Sequence, residues 1–200
     1  MNCKTAVILA AGAGTRMKSE LPKVLHEVCG RPMVSHVISQ AKKAGAETII
    51  AVIGHGAEQV KEGLKEEEIL FALQEKQLGT GHAVMQAADR IPDEGDVFVL
   101  CGDTPLITSE TLAEFAAYHS GSNNAVTVLT AIFDNPFGYG RIIRGEDGNL
   151  QKIVEQKDAD ETEKAVKEVN AGMYCFNGAF LRENLPKLSN QNAQNEYYIT

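Results

Sequence analysis

Small and basic residues follow the first apolar run of the chain in an order that suits a phosphate ligand. Gly12 and Gly14 would let the backbone approach a ligand closely, because glycine has no side chain to obstruct it. Consecutive backbone N–H groups in such a loop can surround phosphate oxygens. Basic side chains come next, at Arg16, Lys18 and Lys23. The first hypothesis is therefore a site for the phosphates of a nucleotide.

Two common glycine-loop motifs do not fit this stretch. A dinucleotide-binding loop has a small third residue where this chain has Met17, and an acidic residue after the second strand, where it has Gly54-His55-Gly56. A Walker-type loop ends in Gly-Lys-Ser/Thr, whereas this one continues Gly14-Thr15-Arg16. The glycines alone leave a further alternative open, a tight strand-to-helix turn that binds no ligand.

Asp103 follows another apolar run, Val97-Phe98-Val99-Leu100-Cys101. In an open parallel sheet, ligands bind beyond the carboxyl ends of the strands, so we expect Asp103 at the same edge as the glycine loop. Mg²⁺ prefers oxygen donors and often binds through few carboxylates together with substrate phosphates. Asp103 is therefore the candidate Mg²⁺ ligand, with a cap for the turn before Pro105 as the alternative role.

Gln74 follows the apolar run Ile69-Leu70-Phe71-Ala72-Leu73. Its side chain offers both a hydrogen-bond donor and an acceptor. That pair complements the edge of uracil, which presents a carbonyl and an N–H. Gly79-Thr80-Gly81 then precedes a helical pattern and is a second place for close ligand approach. A glutamine on a loop is ordinarily solvated, so the residue by itself leaves both interpretations open. The histidines lack metal-ligand spacing and are expected to be structural or exposed: His26, His36, His55, His82 and His119.

Apolar periodicity supplies the elements that would position these residues. It predicts strands at 6–9, 48–53, 69–73 and 97–101, and helices at 33–44, 57–64, 82–90 and from a cap at Ser109. It also predicts strands within 124–133 and at 173–176, and a hairpin from 141–144 and 150–154. The alternation of strands and helices indicates an α/β fold, with a Rossmann-like mixed, mainly parallel sheet flanked by helices.

The composition describes one globular domain of ordinary size, or most of a larger one, because 44% of the 200 residues are hydrophobic and 23% are charged. No run approaches the ~20 apolar residues that span a bilayer, and the N-terminus enters a strand too early for a secretory signal, so a cytoplasmic location is expected. The net charge of −8 argues against broad binding to nucleic acid or membranes. Widely spaced cysteines are expected to be reduced and structural: Cys3, Cys29, Cys101 and Cys175.

An ordered set of motifs spans nearly the whole chain and resembles the sugar-1-phosphate nucleotidylyltransferases. More narrowly, it is similar to the uridylyltransferase domain of bifunctional N-acetylglucosamine-1-phosphate uridylyltransferase/glucosamine-1-phosphate acetyltransferases. The motifs are Leu9-Ala-Ala-Gly-Ala-Gly-Thr-Arg-Met17, Leu21-Pro-Lys-Val-Leu-His26, Gln77-Leu-Gly-Thr-Gly-His82, Gly102-Asp-Thr-Pro-Leu106, Gly138-Tyr-Gly-Arg141, Ile153-Val-Glu155, Val169-Asn170 and Glu196-Tyr-Tyr-Ile-Thr200. A lone glycine loop would be a weak signal, whereas this ordered set is specific.

The resemblance implies transfer of UMP from UTP to N-acetylglucosamine 1-phosphate, giving UDP-N-acetylglucosamine and pyrophosphate, with Mg²⁺ as cofactor. The product would serve peptidoglycan and cell-wall precursor synthesis. Because the attacking phosphate is already anionic, the reaction needs charge screening and positioning rather than an activated nucleophile. Arg16 and Lys23 are the expected catalytic cations, and Asp103 is the expected metal ligand.

The resemblance also assigns the binding residues. The expected nucleotide-binding residues are Leu9, Ala10, Ala11, Gly12, Gly14, Thr15, Lys23, Gln74, Gln77, Gly79 and Thr80. The sugar is expected to contact Gly140, Glu155 and Asn170, next to an added β-hairpin region. A nucleotidylyltransferase for another base or sugar 1-phosphate, and a nucleotide-binding fragment without turnover, are the alternatives.

The domain organisation follows from the same resemblance. Residues 1–200 are expected to form a single nucleotidylyltransferase domain that is truncated at its C-terminal end. The hexapeptide-repeat β-helix that carries the acetyltransferase site in this family is not among them, so a trimer is expected only for a full-length protein that has it. A second metal ligand, an asparagine, is expected in a later motif, which leaves turnover by the 200 residues open. The expected partners are UTP and N-acetylglucosamine 1-phosphate, without nucleic acid or membrane.

Overall fold

A computed structural model describes residues 3–14 and 17–200. Its first half contains β1 (Cys3–Ala10), β2 (Glu27–Val28), β3 (Arg31–Pro32), α1 (Met33–Lys43), β4 (Thr48–Ile53), α2 (Ala57–Gly63), β5 (Leu70–Leu73), α3 (Thr80–Met85) and β6 (Asp96–Cys101). Its second half contains α4 (Ser109–Gly121), β7 (Val126–Ile132), β8 (Arg141–Arg144), β9 (Leu150–Val154), α5 (Glu161–Lys164), β10 (Glu168–Asn177) and α6 (Gly178–Asn184). Among the described residues, no helix has the length and apolar character to cross a bilayer.

The strands β1 and β6 lie in the middle of one mixed sheet. Its order is β5-β4-β1-β6-β10-β8-β9, and β7 pairs with β10. The strands β5, β4, β1 and β6 are mutually parallel, whereas β10 runs antiparallel to β6. The predicted α/β fold and the predicted hairpin, which is β8 and β9, are therefore confirmed.

Alternate residues of β1 contact two different helical layers. Ile8 packs in a cluster with Val37 of α1 and Leu112 of α4. Val7 packs on the opposite face in a cluster with Val84 of α3. Because helices cover both faces, the parallel strands are continuous apolar runs rather than alternating ones. The core thus holds the parallel strands rigidly, and it fixes where their carboxyl ends emerge.

The helix predicted at 82–90 differs from the observed α3. It begins earlier, at Thr80, and ends at Met85, followed by a short 3-10 turn over Ala88–Arg90. The last residues hydrogen-bond across three positions instead of four, from Gln86 N to the Ala83 carbonyl, which tightens the turn. The earlier start matters because it lets the helix emerge directly from the Gly79 turn.

The cap of α4 also differs from the prediction. Thr108, not Ser109, is the N-cap residue, and its hydroxyl accepts a hydrogen bond from the Thr111 backbone N–H at 3.2 Å. The Ser109 backbone N–H donates instead to the Gln40 side chain at 3.0 Å. The start of α4 is consequently joined to α1.

The loops that follow β1, β4, β5 and β6 emerge at one edge of the sheet, as expected for parallel strands. Backbone hydrogen bonds hold these loops together. Gly102 N donates to the Leu9 carbonyl at 2.9 Å, and Gln74 N donates to the Ile53 carbonyl at 2.8 Å. The edge therefore brings four separate parts of the chain into one place.

Candidate functional site

A cleft of about 610 Å³ opens at this edge of the sheet. It is lined by Leu9, Ala10, Ala11, Gly12, Gly14, Met17, Lys23, Val24, Gln74, Gln77, Gly79, Thr80, Ala83, Cys101, Asp103 and Glu196. The lining includes every predicted nucleotide-binding residue except Thr15, together with the predicted metal ligand. Thr15 and the predicted catalytic Arg16 lie outside the described residues. A concave site of this kind is where a small ligand binds in an α/β sheet.

Lys23 and Asp103 meet across the cleft. The ammonium nitrogen of Lys23 lies 2.5 Å from Oδ2 of Asp103, and the two side chains are 35% and 32% exposed. Lys23 begins a short 3-10 turn directly after Pro22, and the next residue, Val24, is buried. This anchorage presents the cation at a fixed position beside the end of β6.

Gly14 lets the first loop pass against Lys23. Its φ of +60° lies in the left-handed region, which favours glycine. A Cβ at this position would lie 2.6 Å from the Cβ of Lys23. The glycine is thus required both by its backbone conformation and by its contact with the cation.

Gln74 is held at the end of β5, with only 3% of the residue exposed. Its Nε2 lies 3.1 Å from the Gly79 carbonyl oxygen and 2.9 Å from Nδ1 of His82. The side chain of Gln77 donates to the Gln74 carbonyl at 3.1 Å. The contact with His82 was not predicted from the sequence. The one sequence feature that could have indicated this contact is that Gln74 and His82 lie on either side of the glycine turn, which reverses the chain between them.

Cys101 lines the cleft but is not suited to act as a nucleophile. Burial raises the pKa of its thiol to about 12, with a further rise from the charge of Asp103 and an opposing effect of Lys23. The thiol, which is the form present at neutral pH, lies 3.2 Å from the Gly172 carbonyl, to which it donates. The cleft accordingly offers charge and hydrogen bonds rather than a thiolate.

The predicted sugar-binding residues lie together in a second group. The Asn170 backbone N–H donates to the Gly140 carbonyl at 2.9 Å. A Cβ on Gly140 would lie 2.8 Å from Oε1 of Glu155, so the carboxylate packs directly against the glycine. The pKa of Glu155 is raised by burial and by Asp158, while Arg141 opposes the rise.

Gly172 joins this second group to the cleft, although Gly140, Glu155 and Asn170 are not in the cleft lining itself. The Gly172 backbone N–H donates to Oδ1 of Asn170 at 2.9 Å, and its carbonyl accepts from Cys101. The two predicted binding regions are therefore neighbours. The role of Gly172 was not predicted, because a glycine inside a strand pattern can mark a bulge, a bend or a close approach of another segment, and the sequence does not distinguish these.

Arg141 is a fully buried cation behind the second group. It is 1% exposed, and its guanidinium donates to Oε1 of Gln156 at 2.7 Å and to the Tyr139 carbonyl. The same Gln156 oxygen accepts from the Gly138 backbone N–H at 2.9 Å. Arg141 and Gln156 thereby hold the 138–140 loop against the hairpin.

The C-terminal segment closes the other side of the cleft. The Tyr197 backbone N–H donates to the Leu78 carbonyl at 2.8 Å, and Gly81 N donates to the Tyr197 carbonyl at 2.7 Å. Glu196 consequently reaches the cleft lining. Glu196 belongs to a motif of the predicted family, but a site role for it was not predicted.

The donor set fits a cation that takes few protein ligands. No group of three or more His, Cys, Asp or Glu side chains that could hold a metal is present in residues 3–14 and 17–200. Two carboxylates line the cleft, those of Asp103 and Glu196, and Asp103 is the one that meets Lys23. This arrangement suits Mg²⁺, which binds through few carboxylates when phosphate oxygens complete its ligands.

Residues 6–166 match the model of the MobA-like NTP transferase domain. The chain belongs to this family. A protein named bifunctional protein GlmU from Alkaliphilus oremlandii is 60% identical over 195 residues, which are 98% of this chain and 42% of that protein. A protein of the same name from Clostridioides difficile is 56% identical over 200 residues, which are 100% of this chain and 43% of that protein. The chain thus spans less than half the length of these relatives.

The MobA-like NTP transferase fold also agrees with a solved structure. The crystal structure of a UDP-glucose pyrophosphorylase complexed with UDP-glucose superposes with a TM-score of 0.77 at 20% identity. The match covers 99% of this chain and 84% of the pyrophosphorylase chain, and at this identity it supports the fold alone. Together with the GlmU relatives, the family match confirms the resemblance that the ordered motifs predicted.

Proposed function

We propose that the chain is the uridylyltransferase unit of a longer protein and transfers UMP from UTP to N-acetylglucosamine 1-phosphate. The observation that supports this proposal is that Lys23, Asp103 and Gln74 line the same cleft, with Lys23 in contact with Asp103. They supply a cation for phosphate, an oxygen donor for a metal and an amide for a base. The proposal takes residues 1–200 as one nucleotidylyltransferase domain, and it places the reaction in the synthesis of cell-envelope precursors.

The proposed chemistry is a displacement at the α-phosphorus of UTP. An oxygen of the sugar phosphate forms a bond to this phosphorus while the bond to the bridging oxygen breaks, and the electron pair leaves with pyrophosphate. Since the attacking oxygen is already anionic, no proton has to be removed. The chain therefore contributes positioning, screening between two polyanions and stabilisation of charge on the leaving group.

Lys23 is the described residue best placed for this work. Its ammonium group reaches into the cleft beside the glycine loop, where the backbone at Gly12 and Gly14 can approach phosphate oxygens. A triphosphate would compete with Asp103 for this cation. Arg16, which lies outside the described residues, is proposed as a second catalytic cation on the strength of its place in the motif.

Asp103 is the proposed ligand of a divalent cation, and Mg²⁺ is the ion proposed. When bound, Mg²⁺ would neutralise charge on the phosphates of the substrate. Asp103 follows β6, so its position is set by a buried strand rather than by a free loop. The carboxylate of Asp103 together with substrate phosphates would be enough for such an ion, and Glu196 is a second carboxylate in the cleft lining.

The specificity of the proposed reaction is assigned to two groups of residues. For the base and ribose these are Gln74, Gly79 and Thr80. For the sugar they are Gly140, Glu155 and Asn170, because a half-buried carboxylate and an amide can each hydrogen-bond hydroxyl or N-acetyl groups.

Pyrophosphate release tests the proposal. The chain is incubated with UTP, N-acetylglucosamine 1-phosphate and Mg²⁺, and UDP-N-acetylglucosamine and pyrophosphate are measured together. Parallel reactions contain CTP or GTP, or glucose 1-phosphate. Stoichiometric release with UTP and the N-acetylated sugar supports the proposal, and preference for another base or sugar supports the related-enzyme alternative. UTP binding without release supports a nucleotide-binding fragment. A trimer and a cytoplasmic location stay predictions for the whole protein.

A further inference from the structure

The Gln74 carboxamide has a defined orientation. Its Nε2 lies 3.1 Å from the carbonyl oxygen of Gly79, which can only accept a hydrogen bond, so the atom at that position must be the NH₂ group. The same NH₂ lies 2.9 Å from Nδ1 of His82. Both amide hydrogens are therefore used within the protein. The other ring nitrogen of His82, Nε2, also lies near an amide NH₂, that of Gln86, at 3.3 Å. Because a neutral imidazole accepts at one nitrogen only, we assign the acceptor to Nδ1, which makes the shorter contact, and the ring proton to Nε2.

This orientation leaves Oε1 as the atom of Gln74 that can serve a ligand. Oε1 has no hydrogen-bond partner within the described part of the chain, and Gln74 lines the cleft. The side chain therefore presents an acceptor alone, although an unconstrained carboxamide could present either a donor or an acceptor. This narrows the sequence-based expectation, which gave Gln74 both roles.

The distinction bears on which pyrimidine the cleft accepts. Uracil has an N–H at position 3 and donates there, whereas cytosine has a bare nitrogen that accepts. Oε1 of Gln74 can accept from uracil, but opposite cytosine it would face a second acceptor. Sites that leave a buried polar group unpaired discriminate strongly against the wrong ligand.

We infer that His82 is a positioning residue that fixes the Gln74 carboxamide and so makes the cleft select uracil over cytosine. The inference rests on the proposed function, because it takes the base of a pyrimidine nucleotide to lie against Gln74. His82 sits in the first turn of α3, directly after the Gly79 turn, and the centre of its ring lies 6.2 Å from that of Tyr197. The ring is thus held by packing as well as by the hydrogen bond.

A pair of substitutions at His82 separates this role from general packing. In His82→Asn, the side-chain oxygen Oδ1 is bonded to Cγ, the atom that carries Nδ1 in histidine. This oxygen is an acceptor, so it should still receive the Gln74 hydrogen bond. His82→Leu keeps bulk but has no acceptor, which frees the carboxamide to rotate. Dissociation constants for UTP and CTP are measured by titration calorimetry for the unaltered chain and both variants. Denaturant unfolding of each variant shows whether it is folded.

The quantity compared is the dissociation constant for CTP divided by the dissociation constant for UTP, and this ratio is expected to change. His82→Leu should lower this ratio by about fivefold, which corresponds to one hydrogen bond of about 1 kcal/mol, and His82→Asn should keep it within about twofold of the unaltered chain. A folded His82→Leu variant with the original ratio would overturn the inference while leaving the proposed function standing. An unaltered chain that does not prefer UTP would instead refute the uridine specificity of the proposed function, and the inference with it.

Discussion

The ammonium group of Lys23 lies 2.5 Å from the carboxylate of Asp103, so the proposed phosphate-binding cation and the proposed metal ligand neutralise each other across the cleft. About one third of each side chain is exposed. Ion pairs with this exposure contribute about 0–1 kcal/mol to stability. The pair therefore matters for the charge of the site more than for the fold, and each partner is available for exchange when a metal and a polyanion bind.

Replacing Asp103 with asparagine should abolish the effect of Mg²⁺ on UTP binding. The substitution removes the proposed metal-binding carboxylate while changing the free energy of unfolding by less than about 1 kcal/mol. Titration calorimetry with and without Mg²⁺ measures the effect. Asp134→Asn is the matched control, because Asp134 forms an exposed ion pair with Lys167 at 3.0 Å outside the cleft lining. A Mg²⁺ response in Asp103→Asn equal to that of the control would refute the assignment.

Replacing Gly12 with alanine should weaken UTP binding by tenfold or more without affecting stability. A Cβ on Gly12 meets no atom of residues 3–14 and 17–200 within 4 Å, so among these residues it would project into open space where the phosphates are proposed to bind. Gly121 at the end of α4 has equally open surroundings and is not in the cleft lining, so Gly121→Ala is the control. Calorimetric affinities and unfolding midpoints are compared for the two variants. Equal UTP affinity in both would show that the ligand does not approach Gly12.

The sequence predicts the parallel core well for a physical reason. Strands such as β1 and β6 are buried on both faces, so their apolar runs stand out, and parallel strands deliver their following loops to one edge. That single rule is enough to bring Asp103 and the glycine loop together. The α6 helix was not predicted, because it begins directly after β10 and no loop in the sequence separates the two elements.

The contacts that set side-chain orientation could not be predicted in the same way. The hydrogen bond between Gln74 and His82 depends on the path of the Gly79 turn, and the packing of Glu155 on Gly140 depends on how the hairpin lies against the sheet. Apolar periodicity reports burial, but it carries no information on such paths. Motif resemblance predicts Gln74 and Glu155 as binding residues, and the structure shows what holds each side chain in place.

Replacing Gly140 with alanine should remove the sugar contribution to product binding. The new Cβ would lie 2.8 Å from Oε1 of Glu155 and displace the proposed hydroxyl acceptor. The unaltered chain should bind UDP-N-acetylglucosamine more tightly than UDP, and the variant should bind both alike. Gly145→Ala is the control, because its Cβ would lie 2.9 Å from the carboxylate of Asp147 in a turn remote from Glu155. A preserved difference between the two ligands in Gly140→Ala would contradict the sugar assignment.

His119 should make the stability of the chain depend on pH. It is 1% exposed, Nδ1 lies 2.8 Å from the Thr127 hydroxyl, and Nε2 lies 3.5 Å from Oδ1 of Asp96. Burial lowers the pKa of His119, and Asp96 opposes this effect without reversing it. The folded protein therefore binds this proton less readily than the unfolded chain does. The stabilising contribution is present above the ordinary histidine pKa of about 6.5 and is lost as the pH falls below it.

Denaturant unfolding at pH 7.5 and pH 5.5 measures this dependence, and His119→Gln isolates the contribution of one group. One proton can change the free energy of unfolding by at most about 1.4 kcal/mol per pH unit. The unaltered chain should lose more stability between the two pH values than His119→Gln does, whatever the absolute stability of the variant. His55→Gln, at an exposed histidine, should behave like the unaltered chain. If His119→Gln shows the same loss as His55→Gln, the acid sensitivity comes from other groups and the buried histidine is not its cause.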